Sequence, residues 1–131
     1  MAGNRVVARY RDGKMIKGTT TDFLPTRDTF FVHPEGGGAP VLVRHGDLKA
    51  IFFVRDFAGD PAHRAKNEFD PAKPVIGRKL RVVFADGEVI LGTTQGYQPG
   101  RPGFFIVPAD ADSNTERCYV VAAATKEVGW V

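Results

Sequence analysis

A single cysteine, Cys118, is present, so no intrachain disulfide can form. It reads as a half-buried strand thiol in a reducing, cytoplasmic setting. No apolar run approaches the roughly 18–20 residues needed to span a bilayer, and no membrane partner is expected. Met1–Arg5 leads straight into a strand-like pattern with no signal-peptide core. The three histidines, His33, His45 and His63, stand at no spacing with Cys118 or the acids that suggests a metal site. There is no Gly-x-Ser-x-Gly elbow and no glycine-rich phosphate loop opening a helix, since Gly36-Gly37-Gly38 runs into Ala39-Pro40 and a strand. Catalysis, a cofactor and a metal are therefore not expected.

Strong charge of one sign is also lacking. The net charge is +3, and residues 1–56 carry nine Lys/Arg against six Asp/Glu while residues 79–131 carry five against six. The first part is mildly basic, which suits an anionic partner but falls short of a dense basic stripe.

What is present is an internal duplication. Arg9–Thr20 lies over Val83–Thr94 at an offset of 74, and the match runs on through Pro25/Pro99, Arg27/Arg101, Phe30-Phe31/Phe104-Phe105 and Pro34/Pro108. Between 6–34 and 80–108, 11 of 29 positions are identical, clustered at turns. After loops of unequal length the register resumes at an offset of 77, with Val41–Val54 over Cys118–Val131.

Each copy reads as five short strands. In the first these are 5–11, 14–23, 29–33, 41–44 and 49–54. Asp12-Gly13 predicts a two-residue type I′ hairpin, and Asp86-Gly87 repeats it. Gly18 and Gly92, inside the second strand, predict a bulge that helps a small barrel curl. Between the copies Asp60 N-caps a short helix through Phe69, stopped by Asp70-Pro71 and Pro74. The expected fold is mainly β: two tandem five-stranded barrels over 4–57 and 76–131, joined by a linker with a short helix over 58–75. Copies of about 50 residues bury too little surface to be robust alone, so a shared interface is expected, and open edges make self-association plausible.

The stretch Ile76–Tyr97, with Asp86, Gly87, Gly92, Gly96 and its alternating apolar positions, resembles the first motif of the Sm-like fold, an SH3-like five-stranded barrel. In the first copy Asp12-Gly13, Gly18 and Phe23 match it, and Val43–Leu48 is similar to a stretched second Sm motif. The resemblance implies the barrel and the helix before it. The residues by which that family contacts RNA are absent, since Leu24–Asp28 and Gln98–Pro102 replace its Asp-x-x-x-Asn stretch. A fainter likeness is to PilZ barrels, which bind cyclic di-GMP, through the spacing of Arg5 and Arg9 and the stretch Asp22–Arg27.

Two sets of side chains follow as candidate sites. Arg5, Arg9, Arg11, Arg27 and Arg44, with Lys14 and Lys17, could hold RNA, DNA or an anionic nucleotide, while Arg27 and Arg101, in matching turns, could clamp a phosphate or carboxylate or instead cap turn carbonyls and hold their loops. Phe30, Phe31, Phe104, Phe105 and Trp130 could stack bases or bury in a protein interface, with one phenylalanine of each pair inward and its neighbour outward. The expected function is a non-catalytic, protein-binding or self-associating scaffold module in a bacterial-type cytoplasm, with nucleic-acid or nucleotide binding as the alternative.

Overall fold

A computed structural model describes residues 3–57, 77–98, 100–110 and 114–131. The linker with its expected helix at 60–69 lies outside them. The chain is mainly β. Its strands are β1 Asn4–Tyr10, β2 Met15–Thr20, β3 Thr29–Pro34, β4 Val41–Arg44, β5 Leu48–Val54, β6 Arg78–Phe84, β7 Val89–Thr94, β8 Gly103–Pro108, β9 Thr115–Val121 and β10 Thr125–Trp130. Single 3-10 turns, His45–Asp47 and Ala122–Ala124, precede β5 and β10.

All ten strands form one antiparallel sheet in the order β10-β6-β7-β8-β9-β5-β1-β2-β3-β4. Numbered within its repeat, each copy follows the same order, 5-1-2-3-4. The copies join where strand five of the first, β5, pairs with strand four of the second, β9. That seam runs from Ala50 opposite Val120 to Val54 opposite Thr115.

Alternation along the seam explains its composition. Ile51, Phe53, Tyr119 and Val121 enter a core with Val6, Ala8, Phe30, Val32, Val43 and Leu48. Ala50, Cys118 and Val120, one residue out of phase, enter the other core with Leu80, Val82, Phe84, Phe104 and Ile106. Each face of the seam is thus the floor of a different core. A strand pair buried on both faces must be apolar nearly throughout, as Leu48–Val54 and Cys118–Val121 are. Burying Ile51 or Tyr119 contributes about 1.5–3 kcal/mol each.

Two local expectations are corrected. The hairpin turns are three-residue loops, Arg11-Asp12-Gly13 and Ala85-Asp86-Gly87. Gly13 N–H donates to the Tyr10 carbonyl (3.1 Å) and Tyr10 N–H to the Lys14 carbonyl (2.8 Å), with Phe84, Gly87 and Glu88 repeating the pattern. Among the described residues no non-glycine residue has positive φ, whereas Gly13 and Gly87 have φ of 95° and 94°. Asp12 keeps an ordinary backbone because its Oδ1 accepts the Lys14 N–H (2.9 Å), so a type I turn closed by a left-handed glycine replaces type I′.

The β1–β2 ladder also runs through Gly18 without a bulge. The glycine is needed because a Cβ there would collide with the His33 carbonyl oxygen, and one at Gly92 with that of Val107. Bulges lie elsewhere: one in each fifth strand, and one in β9, where Glu116 is the extra residue between the partners of Phe53 and Val54. Lys49 is the extra residue between the partners of Arg9 and Tyr10, and Lys126 the extra residue opposite Val83 and Phe84. Both copies bend their closing strand at the same repeat position.

Candidate functional site

At the seam the bulge turns Lys49 into the second repeat. Its ammonium bonds Asp86 Oδ2 at 2.7 Å and Glu88 Oε1, and lies 4.7 Å from the Phe84 ring centre. Burial pulls the Lys49 pKa down, but the hydrogen bonds and charges of Asp86 and Glu88 outweigh it and hold it above its ordinary value. The Lys49 hydrogen bond in turn lowers the Asp86 pKa.

On the other side of the seam stands an aromatic cluster shared by the two copies. Phe23 meets Phe30, Phe53, Tyr119 and Phe105 edge-on at ring distances of 5.2, 5.5, 5.3 and 6.2 Å. Such pairs contribute about 0.5–1.5 kcal/mol each beyond area burial. The Arg117 guanidinium caps the cluster, 4.4 Å from the Phe53 ring centre and 5.0 Å from that of Phe105. Within it His45 stacks on Phe23 at 5.3 Å, and its buried Nε2 has no hydrogen-bond partner. Burial lowers the His45 pKa against the opposing charge of Asp28. Cys118 lies buried in the other core, where desolvation pushes its thiol far above the ordinary range. It is unsuited to act as a nucleophile.

The arginines singled out from the sequence do not converge. Arg5 donates to the Arg55 carbonyl (2.9 Å) and Arg11 to that of Ala123 (3.3 Å). Arg9 lies over the Phe52 ring at 5.3 Å. Arg101 bonds the Gln98 side chain (2.8 Å), holding the turn before β8. Arg27 and Arg44 are exposed, in the turn before β3 and at the end of β4. Lys17 donates to the Phe57 carbonyl (3.3 Å), and Lys14 lies 4.0 Å from Asp12.

The aromatic set divides. Phe30 and Phe104 are core residues, Phe105 packs against the first core from the second repeat, and Phe31 is exposed. Trp130 is exposed at the far edge, under the Arg78 guanidinium at 3.8 Å and beside Tyr97 at 5.6 Å. Sequence reasoning missed Tyr119, Arg117 and Lys49 as seam residues and His45 as a buried one. The signal was the register of Val41–Val54 over Cys118–Val131, which sets Tyr119 over Leu42 and His45 over Ala122.

Among the described residues, β4 and β10 are the two edge strands of the sheet, each paired on one side only, with β3 and with β6. Phe31, Val41 and Leu42 are exposed at one, Trp130 and Val131 at the other. Among the described residues no group of three or more His, Cys, Asp or Glu could hold a metal, and no helix is long and apolar enough to cross a membrane.

A family model covers residues 2–131, almost the whole chain. The protein belongs to the family of unknown function DUF6982. No curated protein and no solved structure matches the chain.

Proposed function

We propose that this DUF6982 protein is a non-catalytic binding or scaffold module, a tandem pair of Sm-like, SH3-like barrels that docks protein partners in the cytoplasm through its sheet edges. The observation carrying the reading is the placement of exposed apolar side chains. Phe31, Val41 and Leu42 gather on β3 and β4, and Trp130 ends β10, each beside a strand with unpaired backbone groups. Edges of that kind recruit a further strand, with backbone bonds giving affinity and side-chain positions giving specificity. The repeated 5-1-2-3-4 strand order supports the barrel reading. Most of the arginines are meanwhile spent on backbone carbonyls, ring faces or a turn amide, which favours a protein partner over a nucleic acid.

Two arms test this. Partners cross-linked to the chain in its native cytosol are identified, purified and titrated against wild type and Phe31→Lys; the expected loss is tenfold or more, equal to about 1.4 kcal/mol. In parallel, single-stranded RNA, DNA and cyclic di-GMP are titrated at about 50 mM salt, where an electrostatic binder gains affinity. Tight, salt-sensitive binding there, reduced by Arg27→Ala or Arg44→Ala, would replace the protein-scaffold reading with the nucleic-acid one.

A further inference from the structure

The seam inside this molecule joins strand five of one repeat to strand four of the other. The outer edges are those same two strands again: β10 is strand five of the second repeat, and β4 is strand four of the first. Every molecule therefore ends in the two halves of a contact it has already made once internally.

From this we infer that the chain associates head to tail with further copies of itself, β10 of one molecule pairing antiparallel with β4 of the next. The inference rests on the interaction-module reading above and names its partner. The 77-residue offset transfers the register. Ile51 opposite Tyr119 becomes Val128 opposite Leu42, and Phe52 opposite Cys118 becomes Gly129 opposite Val41. Phe53 opposite Arg117 becomes Trp130 opposite Pro40.

The backbone phase agrees. Val131 N–H donates inward to the Lys79 carbonyl (3.1 Å), and His45 N–H donates inward to that of Asp28 (2.8 Å). Antiparallel alternation then points the amides of Val128 and Trp130 outward on β10, and those of Leu42 and Arg44 outward on β4. Val128 and Leu42 thus meet as a hydrogen-bonding pair. Burial agrees as well. Leu42 is 46% exposed where Tyr119 is 2%, Val41 36% where Cys118 is 1%, and Trp130 46% where Phe53 is 4%. The side chains left bare at the outer edges are those whose counterparts the inner seam covers.

The outer seam is the weaker one. Glu127 stands where Ala50 does, and Arg44 where Val121 does. Lys126 takes the place of Lys49 and meets Asp12, the counterpart of Asp86, but finds Lys14 in place of Glu88. These charges make the contact reversible where the inner seam is permanent. Because it joins different surfaces, it closes into a ring or extends as a filament, according to the rotation between copies.

The test is sedimentation velocity of the full chain over about 1–200 µM, the range of a micromolar Kd. The expected result is a weight-average mass rising with concentration to at least about twice that of the chain, the mark of association in that affinity class. Leu42→Lys, at an exposed side chain, and Val128→Pro, which removes an outward-facing N–H but also trims a side chain packed on the second core, weaken it at least tenfold, with an unchanged far-UV spectrum showing that the fold is kept. Register is read by a chain carrying both Val41→Cys and Gly129→Cys, a close non-hydrogen-bonded pair within disulfide reach. Oxidation of it gives a ladder of multimers, and Val41→Cys with Val128→Cys does not. A monomer throughout, association indifferent to both edge variants, or dimers cross-linked by Val41→Cys alone each overturn the inference. A monomer that still binds a different protein through Phe31 overturns self-association while the interaction-module reading stands.

Discussion

Strands β5 and β10 hold the same place in the two repeats, with the same bulged lysine, yet differ in what they face. Leu48–Val54 is apolar at every position except Lys49, whereas β10 begins Thr125-Lys126-Glu127. The first is wedged between two cores; the second has a core on one side and solvent on the other. The same contrast separates Tyr119 on β9 from Leu42 on β4. The lesson is that duplication copied a unit with two complementary edges, and residue exchange then made one pairing permanent. Strand order alone does not set burial. The number of neighbours does, and the sequence at each edge follows from it.

The sharpest way to break this comparison is to truncate equivalent side chains. Ile51→Ala, in a fully buried seam position, is expected to cost about 3 kcal/mol, and Val128→Ala about 1 kcal/mol or less. Urea denaturation followed by circular dichroism measures both, and equal costs would remove the distinction between seam and edge. The bulged lysines give a second contrast. Lys49→Ala is expected to cost about 1–2 kcal/mol, a charged hydrogen-bond loss discounted because its carboxylate partners are largely exposed, and Lys126→Ala under about 0.5 kcal/mol.

The pair also has a signed pH dependence. Asp86 has a folded pKa below its unfolded value, so its contribution is present above the unfolded carboxylate pKa and is lost as pH falls through the folded one. Lys49, raised above 10.5, contributes fully below that value and loses its share only as pH rises through the folded pKa. Between those limits the pair should leave stability flat.

The matching phenylalanines give a contrast of similar size. Phe105→Ser removes ring contacts to Phe23, Phe53 and Tyr119 and is expected to cost about 1–2 kcal/mol, against at most about 0.5 kcal/mol for exposed Phe31→Ser, both read from monomer-range denaturation. The smallest expected effect is at His45, whose counterpart in the second repeat is Ala122. Its folded pKa lies below the ordinary 6.5, so its neutral form is the folded one. Stability is full above 6.5 and declines as pH falls from there toward the folded value. His45→Phe should flatten that slope in a pH series of melting temperatures.

The duplication, the ten strands and the two unequal registers were legible from Asp-Gly, Gly-Thr-Thr, Pro-x-Arg and Phe-Phe at matched offsets. Which edges would meet was not, because residues 48–54 read only as an apolar closing strand, and nothing local says that Ala50 and Ile51 face different cores. The bulge was misplaced for a related reason. Gly18 signals that something comes close, and only the three-dimensional register shows that it is the β3 backbone, while the extra residue in the ladder, Lys49, carries no sequence mark. The arginines were grouped by residue type and position along the strands, but their partners are carbonyls and rings remote in sequence, such as Ala123 for Arg11. Phe31 and Phe105 could not be told apart until the neighbour of each was known.

The central claim is that the shared seam makes the two repeats one cooperative unit. Hydrogen exchange by mass spectrometry across a urea series tests it most directly, comparing β1–β3 with β6–β8. The account predicts coincident loss of protection in both regions, shifted together by Ile51→Ala although that residue belongs to the first repeat. Two separated transitions, with Ile51→Ala moving only the first, would contradict it.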